Sequence, residues 1–149
     1  MVILLGQGKT KVALLREDGL VEKRPKEGKT CQEAQLLVQA SRLNSLRSMG
    51  FNTPEIHSAS EECVVMERIE GETLRQIGQL SEGQLQGLVD LQALQSAMGI
   101  YIGDLNGQNL IWSKGSWWIV DCGSVRQGRS PKYIEEKLAL RWSKWFPEA

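Results

Sequence analysis

Gly103-Asp104-Leu105-Asn106-Gly107-Gln108-Asn109 is followed ten residues later by Ile119-Val120-Asp121-Cys122-Gly123. Asp104 and Asn109 stand five apart on a segment whose Gly and Asn content predicts a loop. Asp121 leaves an apolar, strand-like run, so three oxygen-bearing side chains can converge on one point. Such a set suits chemistry at a phosphate: one carboxylate receives the proton of an attacking hydroxyl, and an amide oxygen with a second carboxylate holds magnesium across the phosphates. Asp, Asn and Gly are also the commonest turn formers. The chain has four aspartates, at 18, 90, 104 and 121, and two of them fall in these positions beside apolar runs, which solubility alone does not require.

Working outward, 149 residues with 41% hydrophobic and 24% charged side chains predict one soluble globular domain with its own core. Eighteen basic residues balance eighteen acidic ones, so no global field recruits nucleic acid or an anionic membrane, and no direct nucleic-acid binding is expected. Apolar runs such as Val2 to Leu5 and Val64 to Met66 are far shorter than the roughly 20 residues that span a bilayer. No charged-then-apolar leader precedes Gly6, and a cytoplasmic location without membrane contact is expected. Cys31, Cys63 and Cys122 are odd in number and unpaired in spacing, as reduced thiols would be.

Three short strands are predicted at Val2 to Leu5, Val12 to Leu15 and Gly19 to Arg24, forming a small antiparallel sheet. Thr30 with Glu33 makes a capping box opening a helix with Leu36, Leu37, Ala40, Leu43 and Leu46 on one face, ending near Gly50. Beyond Pro54, Cys63 to Ile69 reads as a buried strand, followed by a turn and a short helix at about Leu74 to Ile77. Ser81 with Gln84 opens a second helix carrying Leu85, Leu88, Leu91, Leu94 and Met98, stopped by Gly99. Leu110 to Trp112 and Trp117 to Val120 flank a turn of hairpin length, and a last helix runs from about Lys132 to Phe146 with Ile134, Leu138, Trp142 and Trp145 on one face. His57, the only histidine, falls in an expected surface turn.

The spacing D-x-x-x-x-N, then a strand, then D-x-G, is the catalytic-loop and metal-loop signature of protein-kinase-like folds. Together with Thr30-Cys31-Gln32-Glu33-Ala34 and Cys63-Val64-Val65-Met66-Glu67-Arg68-Ile69-Glu70-Gly71, it makes the chain resemble the small atypical branch of that superfamily. That branch includes the kinase subunit of the KEOPS tRNA-modification complex and RIO-type kinases, and the similarity covers roughly residues 3 to 125. Gly103 to Gly123 is also similar to bacterial lipopolysaccharide sugar kinases. The resemblance implies an α+β, minimal two-lobed protein-kinase-like fold over residues 1–149: an antiparallel-sheet N-lobe with one long helix at 1–69, a reduced helical C-lobe at 70–149, and ATP with Mg2+ held between them. It further implies Asp104 as base, Asn109 and Asp121 as metal ligands, and a protein substrate or partner subunit.

The nucleotide-covering loop would be Gly6-Gln7-Gly8-Lys9-Thr10, where absent Cβ atoms let backbone N–H groups approach phosphate oxygens; a plain hairpin turn is the alternative. Gly-Lys-Thr occurs at Gly8 and again at Gly28, but a phosphate-binding P-loop needs a glycine five positions earlier, where Ile3 and Lys23 stand. Lys23 is the candidate for the lysine on the α- and β-phosphates, with Arg24 and Lys26 as rivals; strand alternation puts Val21 and Lys23 on one face and Glu22 on the other. Glu33 would orient Lys23, although the capping box gives it a structural task as well. Met66 to Ile69, including Glu67, would form the hinge meeting the adenine edge, or an ordinary core strand.

Departures from the family pattern shape the functional expectation. Ile102 stands where such kinases have a histidine, the metal loop is Asp121-Cys122-Gly123, the third loop glycine is Lys11, and 26 residues follow Gly123 with no Ala-Pro-Glu. The leading expectation is an ATP- and Mg-dependent protein serine/threonine kinase of minimal size. A small-molecule or sugar kinase is one alternative, and a nucleotide-binding pseudokinase or ATPase subunit of an assembly such as a tRNA-modification complex is another.

Overall fold

Short apolar strand segments at the amino end and helical spacing of leucines further on build two units, Met1–Ile69 and Glu70–Ala149, in a computed structural model that describes residues 2–146. Met1 and residues 147–149, which the domain expectation included, lie outside the described residues.

In the first unit, β1 (Ile3–Gln7), β2 (Lys11–Leu15), β3 (Val21–Pro25), β4 (Ile56–Ala59) and β5 (Val64–Met66) form an antiparallel sheet in the order β1-β2-β3-β5-β4. The expected three-strand sheet is thus five strands, and His57 lies on edge strand β4 instead of in a turn. The helix expected from Thr30 to Gly50 is broken: α1 (Cys31–Ala34) ends at Gln35, which takes a left-handed conformation with φ 52°, and α2 (Leu36–Ser48) starts afresh. Leu36, Ala40, Leu43 and Leu46 bury one face of α2, together with Phe51 and Val64 to Met66. Leu37, expected on that face, is exposed, because it lies about 100° round the helix from Leu36, off the buried stripe.

In the second unit, β6 (Glu72–Thr73), β8 (Leu110–Ser113) and β9 (Ser116–Ile119) form one sheet, while β7 (Tyr101–Gly103) pairs antiparallel with β10 (Ser124–Arg126). α3 (Glu82–Met98) opens with the Ser81/Gln84 capping box, and α4 (Pro131–Trp142) is capped by Ser130. A turn closed by Gln76 N–H to Thr73 O (3.0 Å) replaces the short helix expected at 74–77. The final helix stops at Trp142 and continues as a 3-10 turn, Ser143–Trp145. Ile134, Leu138 and Trp142 are buried along α4, whereas Trp145 is half-exposed. On α3 the fully buried residues are Leu88 and Gln95, and Met98 is exposed. Among the described residues no helix is long and apolar enough to cross a membrane.

Candidate active site

In the second unit the catalytic-loop segment hangs between two short strands. Ile102 on β7 pairs with Val125 on β10, so Asp104 and the Asp121-Cys122-Gly123 turn emerge at the same end of that ribbon. One bond closes the D-x-x-x-x-N loop on itself and two tie it to the D-x-G segment. Asn109 Nδ2 donates to the Asp104 carbonyl at 2.8 Å, Val120 N–H to the Asn109 carbonyl at 3.0 Å, and Gly123 N–H to the Gly103 carbonyl at 2.9 Å. A Cβ placed on Gly123 would lie 2.9 Å from Asp104 Cβ, so the glycine lets the two loops pass this closely.

Asp104 has φ 62°, in the left-handed region that Asp and Asn enter more readily than most residues. Its carboxylate is about half exposed; Oδ1 accepts from Asn106 Nδ2 at 2.9 Å and lies 3.6 Å from Arg141 Nη1. Asn106 Oδ1 in turn accepts from Gln108 N–H at 3.0 Å, and Arg75 N–H holds the Gly107 carbonyl at 2.8 Å, bracing the loop from behind. Asp121 Oδ1 accepts from Cys122 N–H at 2.8 Å.

Two buried side chains fix the ends of this frame, and neither was singled out in the sequence as part of the site. Gln95 Oε1 accepts from Ile102 N–H at 3.0 Å, and Trp142 Nε1 donates to the Leu105 carbonyl at 2.9 Å. The sequence did carry signals for both. Gln95 lies seven residues after Leu88 on the core face of α3, and Trp142 lies on the apolar face of α4. Ile102 itself is fully buried, so the position of the expected histidine is part of the core.

In the first unit, Gly6 lies at a β-bulge in β1 and Gly8 N–H donates to Lys11 O at 2.9 Å, closing a tight hairpin over Lys9 and Thr10. Neither glycine takes a positive φ, and a Cβ on either would meet nothing within 4 Å. Lys23 sits on the central strand β3 between Ala13 and Val64 and is half-buried. Arg24, one of its rivals, is held at 2.6 Å by Glu22, two residues away on the opposite face. That contact draws the Glu22 carboxyl below its usual range, while burial, followed by the Glu22 carboxylate, pushes the Cys63 thiol up.

Glu33 forms the full capping box: its Oε1 accepts from Thr30 N–H at 3.2 Å, and Glu33 N–H donates to Thr30 Oγ1 at 3.1 Å. The backbone bond to Thr30 holds its carboxyl below the usual range, and Lys29 Nζ stands 3.7 Å away. The strand expected through Ile69 ends at buried Met66, and Glu67 N–H is taken by the Glu55 carbonyl at 2.8 Å. Of the expected hinge residues, Glu67 therefore has its N–H committed within the first unit. A groove of about 410 Å³ beside α2 and β4, lined by Leu37, Ser41, Asn44 and Ala59 among others, contains none of these residues.

An α+β chain with an antiparallel sheet in one unit and a D-x-x-x-x-N/D-x-G frame among helices in the other has the protein-kinase-like fold, with a reduced C-lobe. A family profile described as the RIO domain matches residues 22–135, and the chain belongs to that family of atypical kinases. A search of curated proteins found no match. Among solved structures, Rio2 kinase from Chaetomium thermophilum is similar at 16% identity and a TM-score of 0.72, covering 97% of this chain and 55% of that one. The same kinase in complex with ADP/Mg2+ and phosphoaspartate gives 16% identity and a TM-score of 0.66, covering 97% and 56%. A ternary complex of streptomycin, ATP and APH(2″)-IIa gives 12% identity and a TM-score of 0.59, covering 96% and 77%. The chain thus spans little more than half the length of the Rio2 kinase it matches.

Proposed function

We propose that the chain is an ATP- and magnesium-dependent phosphotransferase acting on a protein serine or threonine hydroxyl, an atypical kinase. The observation that carries the reading is the hydrogen-bonded frame joining Asp104, Asn109 and Gly123. Asp104, on a tight left-handed turn with its carboxylate half in solvent, is the group to orient an acceptor hydroxyl and take its proton. The Asn109 amide nitrogen is committed to the Asp104 carbonyl, so its oxygen is the atom turned to a cation, and Asp121 supplies the carboxylate. Among the described residues no cluster of three or more His, Cys, Asp or Glu is set to hold a metal. One carboxylate with one amide oxygen fits magnesium, which keeps several waters and takes its other ligands from phosphates. When bound, magnesium neutralises charge on those phosphates.

In the first unit, Gly6, Gln7, Gly8 and Lys9 are assigned to the phosphates. Neither backbone conformation nor crowding demands glycine at 6 and 8, so their missing Cβ atoms fit a close ligand approach. Lys23 is assigned to the α- and β-phosphates; the capture of Arg24 by Glu22 on the other face supports it over that rival. Met66, the Glu67 carbonyl and Ile69 are assigned to the adenine edge. Glu33 keeps its assignment as orienter of Lys23 alongside its capping role. Crystals of Rio2 kinase with ADP and Mg2+ support the choice of nucleotide.

The test is thermal: Mg-ATP at about 100 times its dissociation constant should stabilise the protein by roughly 2.7 kcal/mol. Asp121→Ala should lose the magnesium-dependent part of that gain. Asp104→Asn should keep nucleotide affinity while slowing transfer by on the order of 10²- to 10⁴-fold. No stabilisation of folded protein at millimolar Mg-ATP would sink the reading. A nucleotide-binding subunit without transfer is the second reading, favoured by the apolar burial of Ile102; stabilisation by Mg-ATP with no transfer by the parent protein would select it.

A further inference from the structure

Arg141 stands beside the residue assigned as base, and nothing in the D-x-x-x-x-N or D-x-G motifs accounts for it. Its Nη1 lies 3.6 Å from Asp104 Oδ1, close enough for charge pairing yet beyond hydrogen-bond distance, and that oxygen already accepts from Asn106 Nδ2 at 2.9 Å. A guanidinium carries five N–H donors in a fixed fork, and this one is about one-third exposed. Its placement is built in: the next residue, Trp142, is buried and donates to the carbonyl of Leu105, the residue after Asp104. Helix and loop are therefore pinned side by side, and any hydroxyl reaching Asp104 arrives within a side chain's length of Arg141.

The segment that carries it shares its sign. From Ser124 to Phe146 there are six basic residues, Arg126, Arg129, Lys132, Lys137, Arg141 and Lys144, against Glu135 and Glu136, in a chain whose total charge is zero. Arg129 and Lys137 flank the Tyr133 ring at 5.4 and 5.5 Å, and Lys137 lies one turn before Arg141 on α4. A negatively charged acceptor would otherwise be repelled by Asp104; a guanidinium at this distance offsets that charge and presents a planar fork matched to carboxylate or phosphate.

We infer that Arg141 is an acceptor-selecting residue, which favours a peptide hydroxyl flanked by a carboxylate or phosphate. This rests on the assignment of Asp104 as base and extends it to the substrate class.

The test titrates the whole protein, without nucleotide, with three serine peptides of equal length whose flanking residues are glutamate, alanine or lysine, followed by arginine side-chain NMR. The glutamate peptide should bind roughly fivefold to tenfold more tightly than the alanine peptide, the range of one charge-assisted contact at a partly exposed site, and should shift the Arg141 Nε–H signal. Arg141→Gln should erase that preference and Arg141→Lys should keep part of it. Equal binding of the glutamate and alanine peptides, no binding of either at millimolar concentration, or a preference that survives Arg141→Gln would overturn the inference. Glucose 6-phosphate and glucose form a second pair; a preference for the phosphorylated sugar with none among peptides would also overturn it, in favour of a small-molecule acceptor. Mg-ATP titrated separately distinguishes a failure of the nucleotide reading, because the peptide comparison stands without nucleotide.

Discussion

Trp142 donates its indole N–H to the Leu105 carbonyl across 37 residues of sequence, at 2.9 Å, and both residues are almost fully buried. The last helix thereby holds the loop that begins at Asp104. Trp142→Phe keeps most of the volume but leaves a buried carbonyl without its donor, at a cost of roughly 1–3 kcal/mol. Denaturant unfolding should show this loss. Phosphoryl transfer measured well below the melting point should fall too, because the loop loses its anchor; unchanged transfer would confine Trp142 to stability.

Gly123→Ala places a methyl group 2.9 Å from Asp104 Cβ, so one of the two loops must move. The expected cost is roughly 1–3 kcal/mol of stability, as for other overpacked sites. Turnover should drop by on the order of 10²-fold, since misplacing a reacting group by about 1 Å has that effect. A variant with parental kcat would show that Asp104 does not depend on this close approach.

Gln95→Leu removes the acceptor for the Ile102 N–H, leaving a buried donor unpaired at roughly 1–3 kcal/mol. Ile102→His should not raise activity, because Ile102 is fully buried and an imidazole there faces a desolvation cost of about 1–3 kcal/mol. Melting curves of both variants check the stability changes. Higher turnover in Ile102→His would mean that the loop accepts the histidine of the wider family after all.

Glu22 carries the clearest pH dependence. Its folded-state carboxyl is depressed, first by the hydrogen bond from Arg24, so the stabilisation is present at neutral pH and fades as pH falls below the usual carboxylate range. Arg24 is more than half exposed, so screening limits the pair to about 1 kcal/mol or less. Glu22→Gln should therefore destabilise slightly at pH 7, less so in high salt, and the difference from the parent should shrink as pH falls below the usual carboxylate range. The same carboxylate helps keep the Cys63 thiol protonated. Alkylation of Cys63 at pH 8 should be slow, and Glu22→Gln should speed it, with burial left in place.

What the sequence made legible was local. Both capping boxes, Thr30 with Glu33 and Ser81 with Gln84, are present with both reciprocal bonds, because each is written within four residues. The loop from Asp104 to Asn109 and the Asp121 turn were equally readable, since their residue types and spacing determine their shape. The break at Gln35 was not: glutamine gives no left-handed signal, and packing of the apolar face beginning at Leu36 overrides the continuous helical pattern. β4 was hidden because an exposed edge strand reading Ile-His-Ser-Ala has little apolar alternation. Arg141 beside Asp104, and Gln95 beneath Ile102, depend on contacts between distant segments that no window of sequence contains.

The left-handed turn at Asp104 separates folding from chemistry at a single atom. Asparagine tolerates that conformation about as well as aspartate, whereas alanine or a β-branched residue would be strained there by about 1–2 kcal/mol. An alanine scan would therefore mix backbone strain with lost function, and asparagine is the cleaner probe. The same tolerance has a genetic side: aspartate and asparagine codons differ by one base, so a lineage of this fold stands a single transition from a fully folded protein that lacks the proposed base.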